Sequence, residues 1–516
     1  MTIFTSPLAD VVIPEISITE RLFQAFDSRP DRVVMIDGPT GREVTARAMM
    51  ASIRTLAGGL TAQGFGAGQV VALMAPNMPE FCTVFHGVAY AGGTITTINP
   101  AYTAAEIHHQ LTDSGADLLI TTPDFLAVAS DGAKGTGVRR IVVIGAEDEQ
   151  GLHGLMGPVQ AAQVPVDLAR FAMVMPYSSG TTGKPKGVRL SHRNLVANVE
   201  QSLAVMMISD EETTVAILPF FHIYGMNVIM NLFLTAGMKL VTMPRFDLPT
   251  FLGHLQAHQC YRAAVVPPVV VALAKHPLVE TYDLSALKIL FSAAAPLGAE
   301  VAEACAARIG AQTVQGYGLT ETGPVVSLCN QSLARAGSVG VILPNTECRV
   351  VDVETGAALG VGQEGELWIR GPQVMLGYLN NPAATAAMLD EDGWLHSGDL
   401  AAIDADGFVF IRDRLKELIK VKGFQVAPAE VEAALQDHPQ VLDAAVLGVA
   451  DDEAGEVPVA FVVPRPGADA ADIAAFLRGR LATYKQPRTI EFVEAIPKTA
   501  SGKILRRVLR DQMAAR

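Results

Sequence analysis

The sequence predicts an α/β fold with more than one domain, and three observations support this prediction. Apolar strand-like runs alternate with amphipathic helical patterns over residues 16–175, which favours a mainly parallel sheet covered by helices on both faces. The length of 516 residues exceeds what one hydrophobic core usually holds. Short strand patterns separated by turn residues fill residues 339–411, which indicates a small β-subdomain there.

Composition narrows the class of protein. Hydrophobic residues make up 50% of the chain and charged residues 18%, as in soluble globular proteins. The net charge of −14 and the lack of a dominant basic stripe argue against nucleic acid as a main partner. The five cysteines have no metal-binding spacing and suit buried thiols in a reducing compartment. No signal-peptide pattern and no apolar run of about 20 residues occurs, so we expect a cytoplasmic protein without a transmembrane segment.

Apolar periodicity assigns the main elements in chain order. In the first part of the chain it predicts helices over 18–26, 46–64 and 79–90 and strands over 33–38, 70–74, 118–121 and 141–144. Ser191 is a candidate N-cap for a helix that ends at Met206. Strands are predicted next over 215–218 and 288–291. A separate α+β domain is predicted from a helix, two strands and a helix over 428–436, 444–449, 457–463 and 471–481.

A loop rich in glycine, hydroxyl and lysine residues follows the apolar run 171–175. Residues 176–188 read PYSSGTTGKPKGV, and the glycines let the backbone approach a ligand. Amides, hydroxyls and lysines in such a loop form a nest for phosphate oxygens. The Walker A spacing is not met, because counting from Gly180 leads to Pro185 where a glycine is needed. We favour a phosphate-binding loop over the alternative, a mobile surface loop.

A second polar stretch, residues 313–323, reads TVQGYGLTETG. Glycines flank the ring of Tyr317, which suits adenine stacked on that ring with Thr320 on phosphate. A carboxylate such as that of Glu321, together with waters, is how Mg²⁺ is normally held beside substrate phosphates. Ahead of this stretch, the small residues at 292–296 leave space for a flat group, and tight helix packing is the alternative.

Three further side chains stand where a turn can present them to a ligand. His222 follows the predicted strand 215–218, Asp399 follows a glycine, and Lys503 follows a Ser-Gly pair. Asp399 can accept hydrogen bonds from both ribose hydroxyls, whereas a turn-capping aspartate is the alternative. For His222 the alternative is a hydrogen-bonded structural histidine, and for Lys503 it is an ordinary surface lysine.

These strings resemble the signatures of the adenylate-forming enzymes, which include acyl- and aryl-CoA ligases, firefly luciferase and peptide-synthetase adenylation domains. The resemblance extends through nearly the whole chain. Three strings are similar to those of 4-coumarate–CoA ligases and related acyl-CoA synthetases: PFFHIYG at 219–225, QGYGLTE at 315–321 and DRLKELIK at 413–420.

The resemblance makes the expected fold more specific. It implies a large N-terminal domain of two mainly parallel sheets with helices plus a small β-subdomain, followed by a small mobile α+β C-terminal domain. The implied boundaries are 1–415 and 416–516, with the β-subdomain at roughly 339–412 and a hinge near Lys416.

The resemblance also implies roles for individual residues. It assigns catalysis to Thr181, Lys186, His222 and Lys503, and Mg²⁺ binding to Glu321. It assigns ATP binding to Ser178, Ser179, Gly180, Thr181, Thr182, Lys186, Gln315, Gly316, Tyr317, Thr320, Asp399, Arg414 and Lys503. It assigns binding of the acyl group to His222, Tyr224, Asn227, Ala294, Gly316, Gly318, Pro324, Val325, Lys416 and Lys420. It assigns binding of coenzyme A to Arg245, Lys422 and Gly423.

The implied activity is an ATP-dependent carboxylic acid–CoA ligase of the AMP-forming kind. An acid and ATP give acyl-AMP and pyrophosphate, and coenzyme A then gives acyl-CoA and AMP, with the C-terminal domain rotating about Lys416 between the steps. The implied acid is aryl-propenoic, like 4-coumarate. A medium- or long-chain fatty acyl-CoA ligase is one alternative and a non-catalytic nucleotide-binding protein is another. We expect a monomer or homodimer whose partners are the acid, ATP and coenzyme A.

Two departures from the resembling ligases concern the substrate sites. Plant coumarate ligases usually have Ser-Gly-Ala where this chain has Ser292-Ala293-Ala294, and the extra methyl narrows or redirects the acyl pocket. Arg245 stands where a lysine that contacts coenzyme A is usual, which keeps the charge but changes the geometry.

Overall fold

The computed structural model describes residues 2–148, 150–178, 185–421, 424–451, 454–478, 480–499 and 502–514. They form a mixed α/β structure with a large N-terminal part and a smaller C-terminal part, which confirms the predicted fold class. The helices are α1 Ile18–Asp27, α2 Ala46–Ala62, α3 Pro79–Tyr90, α4 Ala104–Ser114, α5 Leu126–Ala133, α6 His192–Met206, α7 Phe233–Thr235, α8 Leu248–Ala257, α9 Pro267–Lys275, α10 Ala299–Ile309, α11 Pro382–Ala386, α12 Pro428–Gln436, α13 Ala470–Arg478 and α14 Arg506–Ala514.

The first sheet carries the stem of the glycine-rich loop. Its strands in spatial order are β20 Gly377–Tyr378, β10 Lys186–Ser191, β8 Ala172–Val174, β5 Thr94–Thr97, β4 Val70–Met74, β6 Leu118–Thr121 and β7 Arg140–Val143, with β9 Tyr177–Ser178 also beside β10. β5, β4, β6 and β7 are parallel, whereas β10 runs antiparallel to β8, β9 and β20. The β9–β10 hairpin therefore brackets the predicted phosphate loop, of which residues 179–184 lie outside the described part of the chain.

Two further sheets complete the N-terminal core. One contains β11 Thr213–Ala216, β12 Lys239–Thr242, β2 Val33–Asp37 and β3 Glu43–Thr45. The other contains β13 Arg262–Val265, β14 Ile289–Ser292, β15 Gln312–Gly318, β16 Val325–Leu328 and β17 Val341–Ile342. β11 lies next to β13. Among the described residues, no hydrogen-bonded ladder joins these two strands. The N-terminal part therefore has two adjoining sheets where a single second sheet was predicted.

The β-subdomain is a fully antiparallel sheet. Its strands in order are β1 Phe4–Thr5, β18 Glu347–Val351, β19 Gly365–Arg370, β21 Leu395–Ile403 and β22 Val409–Arg414. The start of the chain thus supplies an edge strand to a sheet that otherwise comes from residues 347–414. The register of β21 against β22 places Asp399 opposite Arg414.

The C-terminal part has its own sheet and two small cores. The sheet contains β24 Phe424–Val426, β23 Ile419–Val421, β26 Gly455–Pro464 and β25 Val441–Asp451, with β27 Thr489–Phe492 parallel to β26. One core buries residues of α12 and α13, including Val431 and Ile473. The other core buries Leu509 of α14 against Leu447 and Phe461. Helices therefore cover both faces of this sheet.

Local sequence determines where helix α6 begins, directly after strand β10. Ser191, the last residue of β10, accepts a hydrogen bond from the backbone N–H of Asn194, and the Asn194 side chain accepts one from the Ser191 N–H. This reciprocal cap satisfies two amides at the helix start. The N-cap predicted at Ser191 is therefore confirmed, and it fixes the point at which β10 turns into α6.

Candidate active site

A cavity of about 890 Å³ lies between the N-terminal sheets, the β-subdomain and the C-terminal part. It opens where strands such as β5, β8, β14 and β15 end, which is where α/β sheets usually bind ligands. Sixteen of the predicted site residues line it: Ser178, Lys186, His222, Tyr224, Ala294, Gly316, Tyr317, Gly318, Thr320, Glu321, Pro324, Val325, Asp399, Arg414, Lys416 and Lys503. The structure thus gathers into one cavity residues that lie far apart in the sequence.

Other predicted residues lie away from this cavity wall or cannot be located. Asn227 is buried in the π-helical segment Tyr224–Leu232, and its amide donates to the Gly323 carbonyl at 2.6 Å instead of facing the cavity. Gln315 precedes the lining residues of β15, while Lys420 and Arg245 are exposed elsewhere. The predictions for Ser179, Gly180, Thr181, Thr182, Lys422 and Gly423 lie outside the described residues.

One wall of the cavity carries a buried carboxylate with two partners. Asp399 is 4% exposed, and the Tyr317 hydroxyl donates to its Oδ2 at 2.5 Å. Arg414 Nε lies 3.5 Å from Oδ1. Burial raises the pKa of Asp399, while the Arg414 charge and the Tyr317 hydrogen bond act in the opposite direction. A vicinal diol, such as that of ribose, can donate to the oxygens of this carboxylate.

The metal site expected at Glu321 fits one Mg²⁺ held partly by substrate. Glu321 lies in the turn after β15, lines the cavity and is 5% exposed. No group of three or more His, Cys, Asp or Glu side chains that could hold a metal occurs among the described residues. Mg²⁺ usually takes one or two carboxylates and completes its shell with waters and substrate phosphates. A single buried carboxylate beside the hydroxyl of Thr320 is consistent with that donor set.

Lys503 reaches the cavity from the C-terminal part. Thr499 and Lys503 bind each other through two hydrogen bonds, Thr499 N–H to the Lys503 carbonyl at 2.8 Å and Lys503 N–H to the Thr499 hydroxyl at 3.1 Å. Gly502 between them has φ of +82°, and a Cβ there would lie 3.2 Å from Val266. Burial and the neighbouring Arg414 lower the pKa of Lys503 to about 8. The ammonium is therefore largely protonated at neutral pH and free to neutralise an anion.

His222 is held as a neutral ring at the edge of the same cavity. Its Nδ1 accepts the backbone N–H of Tyr224 at 3.3 Å, so the second ring nitrogen carries the hydrogen. Burial, together with the charge of Lys503, lowers the pKa of His222 to about 4. The side chain thus has both a structural hydrogen bond and an exposure to the cavity.

The deep end of the cavity is apolar. Tyr224, Val228, Phe291 and Val325 line it. The Tyr224 hydroxyl donates to the Phe291 carbonyl at 3.2 Å, and the two rings meet edge to face at 5.9 Å. Close packing of the chain shapes this end, because a Cβ on Gly318 would lie 1.9 Å from the Pro324 carbonyl oxygen. The combination suits a flat apolar group attached to a polar head.

Tyr378 and His396 are among the cavity residues that the sequence analysis did not predict. Tyr378 donates its hydroxyl to Glu321 Oε1 at 2.7 Å, although the two residues are 57 positions apart. His396 stacks on Trp368 at 3.8 Å and lies 3.4 Å from Asp390. The contact of Tyr378 with Glu321 and the stacking of His396 on Trp368 both join segments that lie far apart in the sequence, so no local pattern points to them.

Comparison with known proteins identifies the family. The model of the AMP-binding enzyme family matches residues 22–379, and the model of the AMP-binding enzyme C-terminal domain matches residues 430–503. The chain belongs to the AMP-binding enzyme family. This membership confirms the resemblance that the motifs indicated. No helix in the described part of the chain is long and apolar enough to cross a membrane.

Individual AMP-binding enzymes are similar over the full length. The chain is 41% identical to 4-coumarate–CoA ligase 5 from Oryza sativa subsp. japonica over 532 residues, which cover 99% of this chain and 98% of the relative. Among solved structures, the anthranilate CoA ligase AuaEII in complex with anthranoyl-AMP matches with a TM-score of 0.90 and 26% identity, covering 98% of this chain and 99% of that one. ATP-bound MatB from Rhodopseudomonas palustris matches with a TM-score of 0.87 and 29% identity, covering 96% and 99%.

Proposed function

We propose that this AMP-binding enzyme is an ATP-dependent acid–CoA ligase that acts on a 4-coumarate-like acid. The observation that carries the proposal is one cavity in which a buried carboxylate, a lysine ammonium and an apolar pocket meet, in a chain similar over its full length to a 4-coumarate–CoA ligase. The first half-reaction gives acyl-AMP and pyrophosphate. The second gives acyl-CoA and AMP.

The nucleoside is bound by the wall that Asp399 forms. Asp399 accepts the ribose hydroxyls, and the Tyr317 ring provides a flat surface for adenine. Because Asp399 already has Tyr317 and Arg414 as partners, it is oriented before ATP arrives. Preorganisation of this kind lowers the cost of binding.

The first half-reaction needs neutralisation of charge more than proton transfer. The substrate carboxylate and the α-phosphate are both anionic, and their repulsion grows in a site that excludes water. Lys503 and Lys186 line the cavity and supply two cations for this purpose. Each preorganised group of this type typically contributes a factor of about 10²–10³ in rate. Mg²⁺, when bound at Glu321, supplies further positive charge to the phosphates.

In the second half-reaction the thiol of coenzyme A must reach the carbonyl carbon of the acyl-AMP, close to the position that Lys503 occupies in the first. His222 borders the cavity and is neutral at physiological pH, so it does not add charge to the path of the thiol. We propose that the C-terminal domain turns about Lys416 between the two steps, which withdraws Lys503 and brings the segment of Lys422 and Gly423 to the site. This is a gating motion of the hinge kind.

A carboxylate panel tests the function directly. The purified full-length chain is given ATP, Mg²⁺, coenzyme A and one acid at a time: 4-coumarate, cinnamate, benzoate, octanoate or palmitate. AMP formation that depends on both the acid and coenzyme A, with 4-coumarate or cinnamate giving the highest kcat/KM, is the expected result. Preference for octanoate or palmitate would replace the substrate assignment with a fatty acid. Nucleotide binding without pyrophosphate release for any acid would overturn the catalytic proposal.

A further inference from the structure

Tyr378 occupies a position between the two charged groups that serve the phosphates. It is the last residue of β20, whose register places it opposite Val188 on the strand that starts at Lys186. Its backbone N–H donates to the Thr385 hydroxyl at 2.9 Å, and its side chain is 7% exposed. The ring is thus fixed from both its backbone and its surroundings.

The side chain contacts both charged groups, each in a different way. The hydroxyl donates to Glu321 Oε1 at 2.7 Å. The Lys186 Nζ lies 4.9 Å from the centre of the ring, a cation–π distance. Among the described residues, no ion pair joins Lys186 directly to Glu321. The ring therefore stands between a cation and an anion that would otherwise attract each other.

We propose that Tyr378 is a positioning residue that aims the Glu321 carboxylate at Mg²⁺ and keeps Lys186 available to phosphate. This inference rests on the proposed ATP- and Mg²⁺-dependent function. The hydroxyl binds one oxygen of Glu321 and so directs the other into the cavity. The neutral ring gives the Lys186 ammonium a partner that leaves its charge uncompensated, whereas a direct Lys186–Glu321 pair would cancel the charges that ATP and the metal need.

The two contacts can be separated by substitution. Tyr378→Phe removes the hydroxyl and keeps the ring, so it should weaken metal binding and leave the contact with Lys186 in place. Loss of a partner that orients a metal ligand typically costs about 10- to 100-fold in metal affinity. Tyr378→Leu removes the ring as well, so it should raise the KM for ATP in addition.

The decisive measurement is a titration of the full-length protein with Mn²⁺ and ATP in the absence of acid, followed by electron paramagnetic resonance. Without acid there is no turnover, so the signal reports binding alone. We expect Tyr378→Phe to bind Mn²⁺ in the ATP complex at least tenfold more weakly than the unaltered protein. Tyr90→Phe is the matched control, because the Tyr90 hydroxyl donates to the Ala161 carbonyl at 3.3 Å and interacts with Arg54, away from the cavity. Thermal melts verify that both variants fold.

A double-mutant cycle tests whether the effect passes through Glu321. In a Glu321→Gln background, Tyr378→Phe should cause no further loss of Mn²⁺ affinity, because the carboxylate that it orients is gone. Additive losses, or Mn²⁺ affinity of Tyr378→Phe within twofold of the unaltered protein, would overturn the inference while leaving the proposed function intact. Failure of the unaltered protein to bind Mn²⁺ in the presence of ATP would overturn both.

Discussion

The two sides of the cavity are held in place by different kinds of contact. On the N-terminal side, Asp399 is bound by Tyr317, and Glu321 is bound by Tyr378. Both carboxylates are almost fully buried. These groups stand on strands or on turns that directly follow strands, so their positions are set by the sheets before any ligand binds.

The C-terminal side presents Lys503 from a position close to contacts within its own domain. Arg506, three residues further along, pairs with Glu417 and with Glu432, each at 2.6 Å. Glu432 lies on α12 and Glu417 immediately follows Lys416. Lys503 is therefore coupled to the rest of the C-terminal part, and movement of that part about Lys416 would carry Lys503 with it.

Few polar contacts in the described chain tie that domain to the N-terminal side. Lys275 Nζ donates to the carbonyls of Gln436, at 2.9 Å, and Val441, at 3.4 Å, and Asp413 accepts the Ala429 N–H at 2.9 Å. The groups proposed to bind the nucleotide and metal are thus fixed in the sheets, whereas the cation proposed for the first half-reaction belongs to a body that few polar contacts tie to them.

The largest effect is expected from Lys503→Ala. Removing the ammonium should slow pyrophosphate release by a factor of about 10²–10³, because Lys498, another C-terminal lysine at the cavity, is already paired with Asp443. Thioester formation from supplied acyl-AMP should stay within a few-fold of the unaltered rate. Lys485→Ala is the matched control, since Lys485 belongs to the same domain and pairs with Glu430 at 2.7 Å, away from the cavity.

The pH profile provides a second readout of the same lysine. The pKa of Lys503 is lowered to about 8, so the cationic form is present below that pH and is lost as the pH rises through it. Adenylation should therefore decline on the alkaline side, and Lys503→Arg should move that decline to higher pH. Equal loss of both half-reactions in Lys503→Ala would contradict the division of labour between the two sides.

The next effect is expected from Lys416→Pro, which restricts the proposed hinge. Proline fixes φ near −65° and so opposes rotation about this residue. Thioester formation should fall by about 10²-fold, the usual cost of misplacing reacting groups by an ångström. Adenylation should fall less, because it precedes the proposed rotation. Some loss is still expected, since proline also restricts Leu415 and shifts the turn in which the Glu417 N–H donates to the Arg414 carbonyl. Lys416→Ala separates loss of the side chain from loss of backbone freedom, and parallel losses in both steps would refute the hinge.

The carboxylates on the N-terminal side of the cavity could be predicted from sequence, whereas the side chains that hold them in place could not. On that side, glycine turns made Asp399 and Glu321 candidates, and the resemblance to adenylate-forming enzymes gave them their expected roles. The partner Tyr378 was missed because its contact spans 57 positions and depends on the pairing of β20 with β10. The strand β5 Thr94–Thr97 was missed because three of its four residues are threonines, although all four are buried. Buried hydroxyls satisfied by distant carbonyls have no signature in the sequence.

Acid should destabilise the N-terminal side through two buried histidines. His86 and His192 are fully buried in the N-terminal core, and burial lowers the pKa of each to about 3. The unfolded chain has histidine pKa values near 6.5, so it binds more protons below that pH and stability falls as the pH is lowered. At pH 5.5 the two groups together should cost about 2–3 kcal/mol in free energy of unfolding. Urea unfolding at pH 7 and pH 5.5 checks this, and a His86→Gln variant that keeps the full pH dependence would contradict it.

The smallest effect is expected at Lys275, where the two sides touch. Lys275→Met keeps the length of the side chain but removes the donor to the end of α12, which should destabilise the present domain arrangement by about 1 kcal/mol. Because that arrangement holds Lys503 at the cavity, adenylation should slow by up to about fivefold, while thioester formation from acyl-AMP should be unchanged or faster. Lys288→Met is the matched control, since Lys288 donates to the Ser285 carbonyl within the N-terminal side. If Lys275→Met slowed both half-reactions alike, this contact would be serving the stability of the fold and not the balance between two domain positions.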